Sequence, residues 1–303
     1  MSGARAVTGI FAPIPTPFGP DEEIAYDRLA ENLAWWGATR LRGVVVLGSN
    51  GEFVFLSPEE KARLIEAVRA GLPADKMVIA GTGCETTRDT IALSRQAAKL
   101  GADACLVLTP YYYKGDMTPA TLRRYFWDVA EACPVPVMLY NMPRNTGLNM
   151  EPALVIDLAS HPNITGIKDS SGNIVQISEI IGGTGEGFSV FAGSGSFLMT
   201  TLVMGGVGGT LAVANIMPDE CAELMDLTTA GKTVAARALQ QRILAPNKAV
   251  TSRWGIPGLK AALDLMGKHG GPPRRPLLPL GARERADLAK VLREAGVDIA
   301  RPA

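Results

Sequence analysis

The sequence predicts an α/β protein: a (β/α)8 barrel with a C-terminal helical extension. Three observations predict it. Eight short apolar runs rich in β-branched residues recur along the chain, longer helical stretches separate them, and polar or glycine-rich clusters follow the runs where they end. A doubly wound parallel sheet shares the first two features, and periodicity alone does not separate the two architectures.

The candidate strands are Gly9–Pro13, Gly43–Leu47, Met77–Ala80, Ala104–Leu108, Val135–Tyr140, Ile164–Lys168, Ser189–Ala192 and Gly208–Ala212. Val44-Val45-Val46-Leu47 and Val137-Met138-Leu139 are apolar throughout, as strands covered on both faces require. Between the first two runs, Tyr26–Ala38 carries Leu29, Leu33 and Trp36 near one helical face. Ser57-Pro58-Glu59-Glu60 reads as an N-cap, a first-turn proline and acids near the positive end of a helix dipole. Thr87-Arg88-Asp89 and Thr118-Pro119 open further helices, and Pro218–Ala230 is the eighth. From Thr233 the chain reads as more helix, Thr233–Leu244, Pro257–Met266 and Ala282–Glu294, broken by Pro272-Pro273-Arg274-Arg275-Pro276. The expected division is a catalytic barrel over residues 1–231 and a helical extension over 232–303.

Composition bounds the function. With 47% hydrophobic residues the chain can bury a large core, and 30 basic against 30 acidic residues leave no net charge, which gives no sign of a nucleic-acid partner. Cys84, Cys105, Cys133 and Cys221 form no C-x-x-C pair and read as free thiols of a reducing compartment. His161 and His269 are too few and too far apart for a histidine metal site. The first residues lack the apolar stretch of a signal peptide, and no run is long enough to span a membrane, so a cytoplasmic protein without a membrane partner is expected.

Barrel chemistry sits on the loops after the strand C-termini. The clusters there are Gly48-Ser49-Asn50-Gly51-Glu52, Thr109-Pro110-Tyr111-Tyr112-Tyr113, Tyr140-Asn141-Met142-Pro143, Gly166-Ile167-Lys168-Asp169-Ser170 and Ala192-Gly193-Ser194-Gly195. Lys168 closes an apolar run. If its stem lies inside the barrel mouth, burial disfavours the ammonium and leaves an amine able to attack a keto carbon; the plainer alternative is a lysine pointing to solvent. The tyrosine triplet could equally be an aromatic rim, Tyr140 a core residue, and Gly48–Glu52 either a tight turn or a carboxylate seat made of backbone N–H groups. Gly205-Gly206-Val207-Gly208-Gly209 reads as a phosphate site or as close packing around the last strand.

Taken together, these residues resemble the dihydrodipicolinate synthase / N-acetylneuraminate lyase family of pyruvate-dependent aldolases. Its G-[ST]-x-G-E turn falls at Gly48–Glu52, its Y-N-x-P at Tyr140–Pro143 and its G-x-K at Gly166–Lys168, after a Pro13–Phe18 opening, and the likeness covers nearly the whole chain. The resemblance implies class I chemistry with no metal and no organic cofactor. Lys168 matches the Schiff-base lysine, Tyr140 the proton-relaying tyrosine, and Ser49 the hydroxyl joining that relay. Tyr112 matches a relay tyrosine that the family inserts from the adjacent subunit. Asn50 and Gly51 match the seat of the pyruvate carboxylate. The implied partners are a small 2-oxo acid and further copies of the chain, as a tetramer of paired dimers.

Within the family, the synthase pattern continues Y-N-x-P-x-R-T. Here Asn145 holds the arginine position and Arg144 stands one residue early, and asparagine cannot supply the missing charge. Longer runs look more like 4-hydroxy-2-oxoglutarate aldolase: Ala80–Glu85, Asn145–Leu148, Lys168–Gly172, Ala192–Met199, Ala245–Thr251 and Gly255–Lys260. The reaction so implied cleaves 4-hydroxy-2-oxoglutarate to pyruvate and glyoxylate, with Arg144, Asn145, Ser170, Gly193 and Ser194 as candidates around the substrate. The alternatives are condensation of pyruvate with aspartate semialdehyde and, from another class, a barrel that only binds an oxo acid.

Overall fold

The protein is described by a computed structural model over residues 7–299. Eight parallel strands close into a barrel in chain order: β1 (Gly9–Pro13), β2 (Gly43–Val46), β3 (Met77–Gly81), β4 (Ala104–Leu108), β5 (Val137–Asn141), β6 (Ile164–Asp169), β7 (Ser189–Ala192) and β8 (Gly208–Thr210). β1 pairs with both β2 and β8, so the sheet has no edge and the doubly wound alternative is excluded.

Strand ends differ from the sequence reading where the backbone has its own constraints. β2 stops at Val46 because Leu47 takes a φ of 58° and turns the chain. β5 starts at Val137, not Val135, since Pro136 has no N–H for the ladder. β8 ends at Thr210, and Ala212–Asn215 forms a 3-10 turn instead of its last residues. Three helices that carry no strong sequence signature, Pro152–Leu158, Ile174–Gly183 and Leu198–Val203, follow β5, β6 and β7. Ser57 caps the helix Pro58–Gly71 reciprocally with Glu60, as its sequence requires.

The barrel interior is filled, not open. Phe11, Val45, Ile79, Leu106, Met138 and Phe191 pack there, with the Phe11 and Phe191 rings 5.7 Å apart. A second apolar layer lies between the strands and the surrounding helices, with Leu33, Trp36, Ile65, Phe126, Val155 and Ile177 fully buried. The glycines before and in β8 belong to this packing. A Cβ on Gly208 would stand 2.1 Å from the Gly9 carbonyl oxygen, and one on Gly206 2.5 Å from the Thr201 methyl. The cluster enters β8 at the end of the barrel away from the strand C-termini, which removes the phosphate-site reading.

The chain continues in Thr233–Lys248, four residues longer than the sequence reading despite Pro246 in its last turn. A π-helical turn, Ala249–Arg253, joins it to Gly255–Leu265, and Ala282–Glu294 follows. The buried side chain of Asn247 fastens this segment to the loop after β7, accepting from the Gly195 N–H (3.1 Å) and donating to Ser194 Oγ (3.0 Å) and Ser196 Oγ (2.8 Å). Among the described residues, no helix is long and apolar enough to cross a membrane.

Phe191 stands at the centre of the filled interior. Phe191→Ala is expected to lower unfolding free energy by about 3–5 kcal/mol, measured by urea denaturation.

Candidate active site

The mouth of the barrel gathers an amine, a phenol and a hydroxyl, and the β5–β6 register is what brings them together. Val137 pairs with Ile164 but Met138 pairs with Gly166, so β6 carries one extra residue, Thr165, and Tyr140 comes to lie opposite Lys168. Without that irregularity Tyr140 would face Ile167. A bulge of this kind re-aims the side chains beyond it. Lys168 points inward and is 4% exposed, with Nζ 4.0 Å from the centroid of the Tyr140 ring. The solvent-facing alternative is therefore excluded. On the far side of the ring from its backbone, the Tyr140 hydroxyl is hydrogen-bonded to Ser49, with Oη and Oγ 3.2 Å apart.

Strand alternation turns the next residue away. Asp169 is fully buried on the helix side, where Oδ2 accepts from Asn141 Nδ2 (2.9 Å) and Gln176 Nε2 (2.8 Å), and Oδ1 accepts from the Ser171 N–H (2.8 Å). Its charge is thus satisfied away from the cavity, and Lys168 is left beside an aromatic face instead of an acid.

The turn after β2 is built by two non-glycine residues in left-handed backbone, Leu47 (φ 58°) and Glu52 (φ 57°), flanking a 3-10 turn Ser49–Gly51. Asn50 Nδ2 donates to the Pro13 carbonyl (3.3 Å), and Thr16 Oγ1 donates to the Gly51 carbonyl (2.8 Å). The first N–H groups of such a turn have no partner inside it. Gly51 is the exception among the expected seat residues: it is buried behind the turn, and its N–H donates to the Gly48 carbonyl (2.9 Å), so it is not free for a ligand.

A cavity of about 250 Å³ lies over Lys168. Ser49, Asn50, Tyr140, Arg144, Asn145, Lys168, Ser170 and Gly193 line it. Lys168 and Arg144 are the charged residues of its wall, and no acid lines it. Arg144 and Asn145 sit at the exposed lip, on the short helix Pro143–Thr146. Ser170 Oγ is buried without a hydrogen-bond partner in the wall of the cavity. Gly193 makes room for it, since a Cβ there would fall 2.0 Å from that oxygen and 2.6 Å from the Asp169 carbonyl oxygen.

Two expected residues stand elsewhere. Ser194 is engaged by Asn247 and does not line the cavity. Tyr112 is 74% exposed, its ring edge-on to Tyr113 at 5.0 Å and its N–H bonded to Glu85 (3.0 Å), outside the cavity of its own chain. Residues that sequence reasoning missed complete the far wall: Val250 and Thr251 from the π-helical turn, and Gly255 and Ile256 from the helix after it. A π-helical insertion at a functional site is a recurring association, but the sequence carries no simple signal for it. Among the described residues, no group of three or more His, Cys, Asp or Glu side chains converges as metal ligands.

A filled parallel barrel with a buried lysine against a tyrosine, at the mouth where barrel enzymes do their chemistry, defines a class of protein: the class I, Schiff-base lyases. Known proteins make the class specific. The model of the dihydrodipicolinate synthetase family matches residues 6–295. The chain is 35% identical over 300 residues to a probable mitochondrial 4-hydroxy-2-oxoglutarate aldolase of Emericella nidulans, covering 97% of each chain. It is 38% identical over 283 residues to a 4-hydroxy-tetrahydrodipicolinate synthase of Symbiobacterium thermophilum, covering 93% of this chain and 96% of that one. Its structure is similar to that of the Escherichia coli K12 prophage protein YagE, of the dihydrodipicolinic acid synthase family, in complex with pyruvate: the TM-score is 0.91 at 31% identity, over 97% of this chain and 100% of that one. The chain belongs to the dihydrodipicolinate synthetase family, and is a pyruvate-dependent carbon–carbon lyase.

Gly193→Ala tests the geometry of the wall. The added methyl meets backbone as well as the Ser170 hydroxyl, so lyase kcat/KM is expected to fall by about tenfold or more while the circular dichroism spectrum is kept.

Proposed function

We propose that the chain cleaves 4-hydroxy-2-oxoglutarate to pyruvate and glyoxylate through an imine on Lys168. The observation that carries this reading is the buried Lys168 amine against the Tyr140 ring, with Ser49 hydrogen-bonded to the phenol. The neutral amine adds to C2 of the oxo acid, and the adduct loses water to give an iminium. The iminium draws the electron pair of the C3–C4 bond as the 4-hydroxyl gives up its proton, and glyoxylate leaves. Protonation of the enamine at C3 and hydrolysis of the imine release pyruvate and restore the lysine. Tyr140, placed between amine and hydroxyl, moves the protons, with Ser49 continuing the path. Ser49 and Asn50 receive the C1 carboxylate, and Ser170 and Arg144 hold the distal one.

The charge of the wall supports this substrate over the synthase's. The Arg144 guanidinium and the lack of any acid suit the distal carboxylate of a dicarboxylate, whereas aspartate semialdehyde brings an ammonium group that finds no carboxylate here. Asn145, in place of an arginine, supports the same choice. The second reading, condensation of pyruvate with aspartate semialdehyde, draws on the synthase relatives. The C-terminal helices are part of the proposed catalytic unit, since Thr251 and Gly255 close its wall beyond the barrel of residues 1–231. A homotetramer of paired dimers, in which Tyr112 completes a neighbour's relay, belongs to the same proposal and accounts for that residue's exposure on a single chain.

Incubation with pyruvate and borohydride is expected to leave a reduced adduct on Lys168, located by peptide mass spectrometry, and none in Lys168→Ala; an adduct on another lysine contradicts the mechanism. Tyr140→Phe is expected to lower kcat by about 10²–10⁴. For the substrate, cleavage of 4-hydroxy-2-oxoglutarate is expected to outrun condensation of pyruvate with aspartate semialdehyde, and the reverse order would transfer the assignment to the synthase reaction.

A further inference from the structure

We infer that the buried Glu52–Lys260 ion pair is a positioning device that locks the Ser49–Asn50 turn to the helix Gly255–Leu265 and so sets the distance between the two facing walls of the cavity. The inference rests on the reading that this turn receives the substrate carboxylate.

Glu52 ends the turn in a left-handed conformation that side-chain-bearing residues rarely adopt. Its carboxylate carries it there: Lys260 Nζ lies 2.5 Å away, and the Arg274 N–H donates to its other oxygen at 2.8 Å. Both side chains are essentially without solvent contact. Lys260 Nζ also donates to the Pro272 carbonyl (2.9 Å) and stands 4.4 Å from the Phe18 ring centroid. The Arg274 guanidinium lies 4.3 Å from the same ring and bonds to Glu60 and to the Phe55 carbonyl (2.9 Å). The turn is thus fastened to the C-terminal helices and to the proline-rich strap before the last of them.

The placement of the pair is what gives it a role in the site. Asn50, two residues before Glu52, lines one wall, and Gly255 and Ile256, at the start of the helix that carries Lys260, line another. The Glu52–Lys260 charge contact joins the two. Removing one partner leaves an uncompensated buried charge, so the contact is held by protonation as well as by packing.

The charged groups facing Lys260 are Glu52, Asp264 and Arg274, and burial outweighs the two acids, lowering the ammonium from 10.5 to about 8. Above that pH Lys260 loses its charge and Glu52 is left without a counter-ion. The consequence is local. From about 8 up to 10.5 the unfolded chain holds a proton that the folded one has released, so this group does not reduce global stability as pH rises through that window.

The experiment measures the pyruvate concentration that half-saturates borohydride trapping on Lys168, across about pH 7 to about pH 9.5, in wild type, Lys260→Arg and Glu52→Gln. In wild type the half-saturating concentration is expected to rise about three- to tenfold over that range, and in Lys260→Arg, whose guanidinium stays charged, the rise is expected to disappear. Glu52→Gln is expected to require more pyruvate at every pH, with no alkaline rise. All three keep Lys168, so its own titration is common to them, and thermal melts at each pH report folding. Hydrogen exchange over residues 47–56, corrected for its intrinsic pH dependence, gives the same comparison without ligand. An identical pH dependence in wild type and Lys260→Arg, or a wild-type half-saturation in Glu52→Gln, overturns the inference; should Lys260→Arg not fold, the Glu52→Gln result decides. Absence of any wild-type adduct overturns the imine reading instead, and the exchange series then decides whether the pair holds the turn.

Discussion

One extra residue in β6 sets the phase of everything at the barrel mouth. A strand presents alternate residues to opposite faces, so a slip of one position exchanges the two sets of side chains. Thr165 shifts the pairing so that Lys168 meets Tyr140 inside the barrel while Asp169 turns outward to Asn141, Gln176 and Ser171. The acid that could have neutralised Lys168 is its immediate chain neighbour, and the pleat keeps the two apart. What remains beside the amine is an aromatic face, a phenolic oxygen and, through it, a serine hydroxyl. Among the described residues Lys168 makes no salt bridge, so its amine has no ion pair to break before it can act as a nucleophile.

The segment beyond the barrel strands completes this arrangement. Asn247 bonds to the loop after β7, Lys260 reaches the turn after β2, and Arg274 reaches Glu60 in the helix that follows that turn. The first two contacts run from a C-terminal element to a loop that shapes the cavity, and the third fastens the helix behind one of those loops. The π-helical turn Ala249–Arg253 between the first two anchors puts Val250 and Thr251 into the wall. The loops of the mouth, which the barrel alone would leave free to move, are held from outside.

The strands were legible because a strand covered on both faces is apolar nearly throughout, and polar or glycine-rich clusters follow where each run ends. Their ends were legible only where nothing local intervened: Leu47 turns by a positive φ and Pro136 lacks a donor, and both moved a boundary. Lys168, Tyr140 and Ser49 were visible because each is a polar residue closing an apolar run, and their ordered motifs point to a known family. Gly51 lies in one of those motifs and Ser194 in the cluster after β7, yet the structure commits them to Gly48 and Asn247, which spacing does not reveal. Thr251, Gly255 and Ile256 reach the site through packing of helices far along the chain. No strand-end rule finds such residues. The Glu52–Lys260 pair is of the same kind: the sequence offers a turn acid and a helix lysine, and only the fold makes them one contact.

The most direct test of the amine's placement is a crystal structure grown or soaked with pyruvate. The account predicts continuous density from Lys168 Nζ to the keto carbon, the carboxylate on the Ser49–Asn50 turn, and the Tyr140 hydroxyl within hydrogen-bond reach of the new bond. Pyruvate bound without a covalent link, or joined to any other lysine, would contradict it.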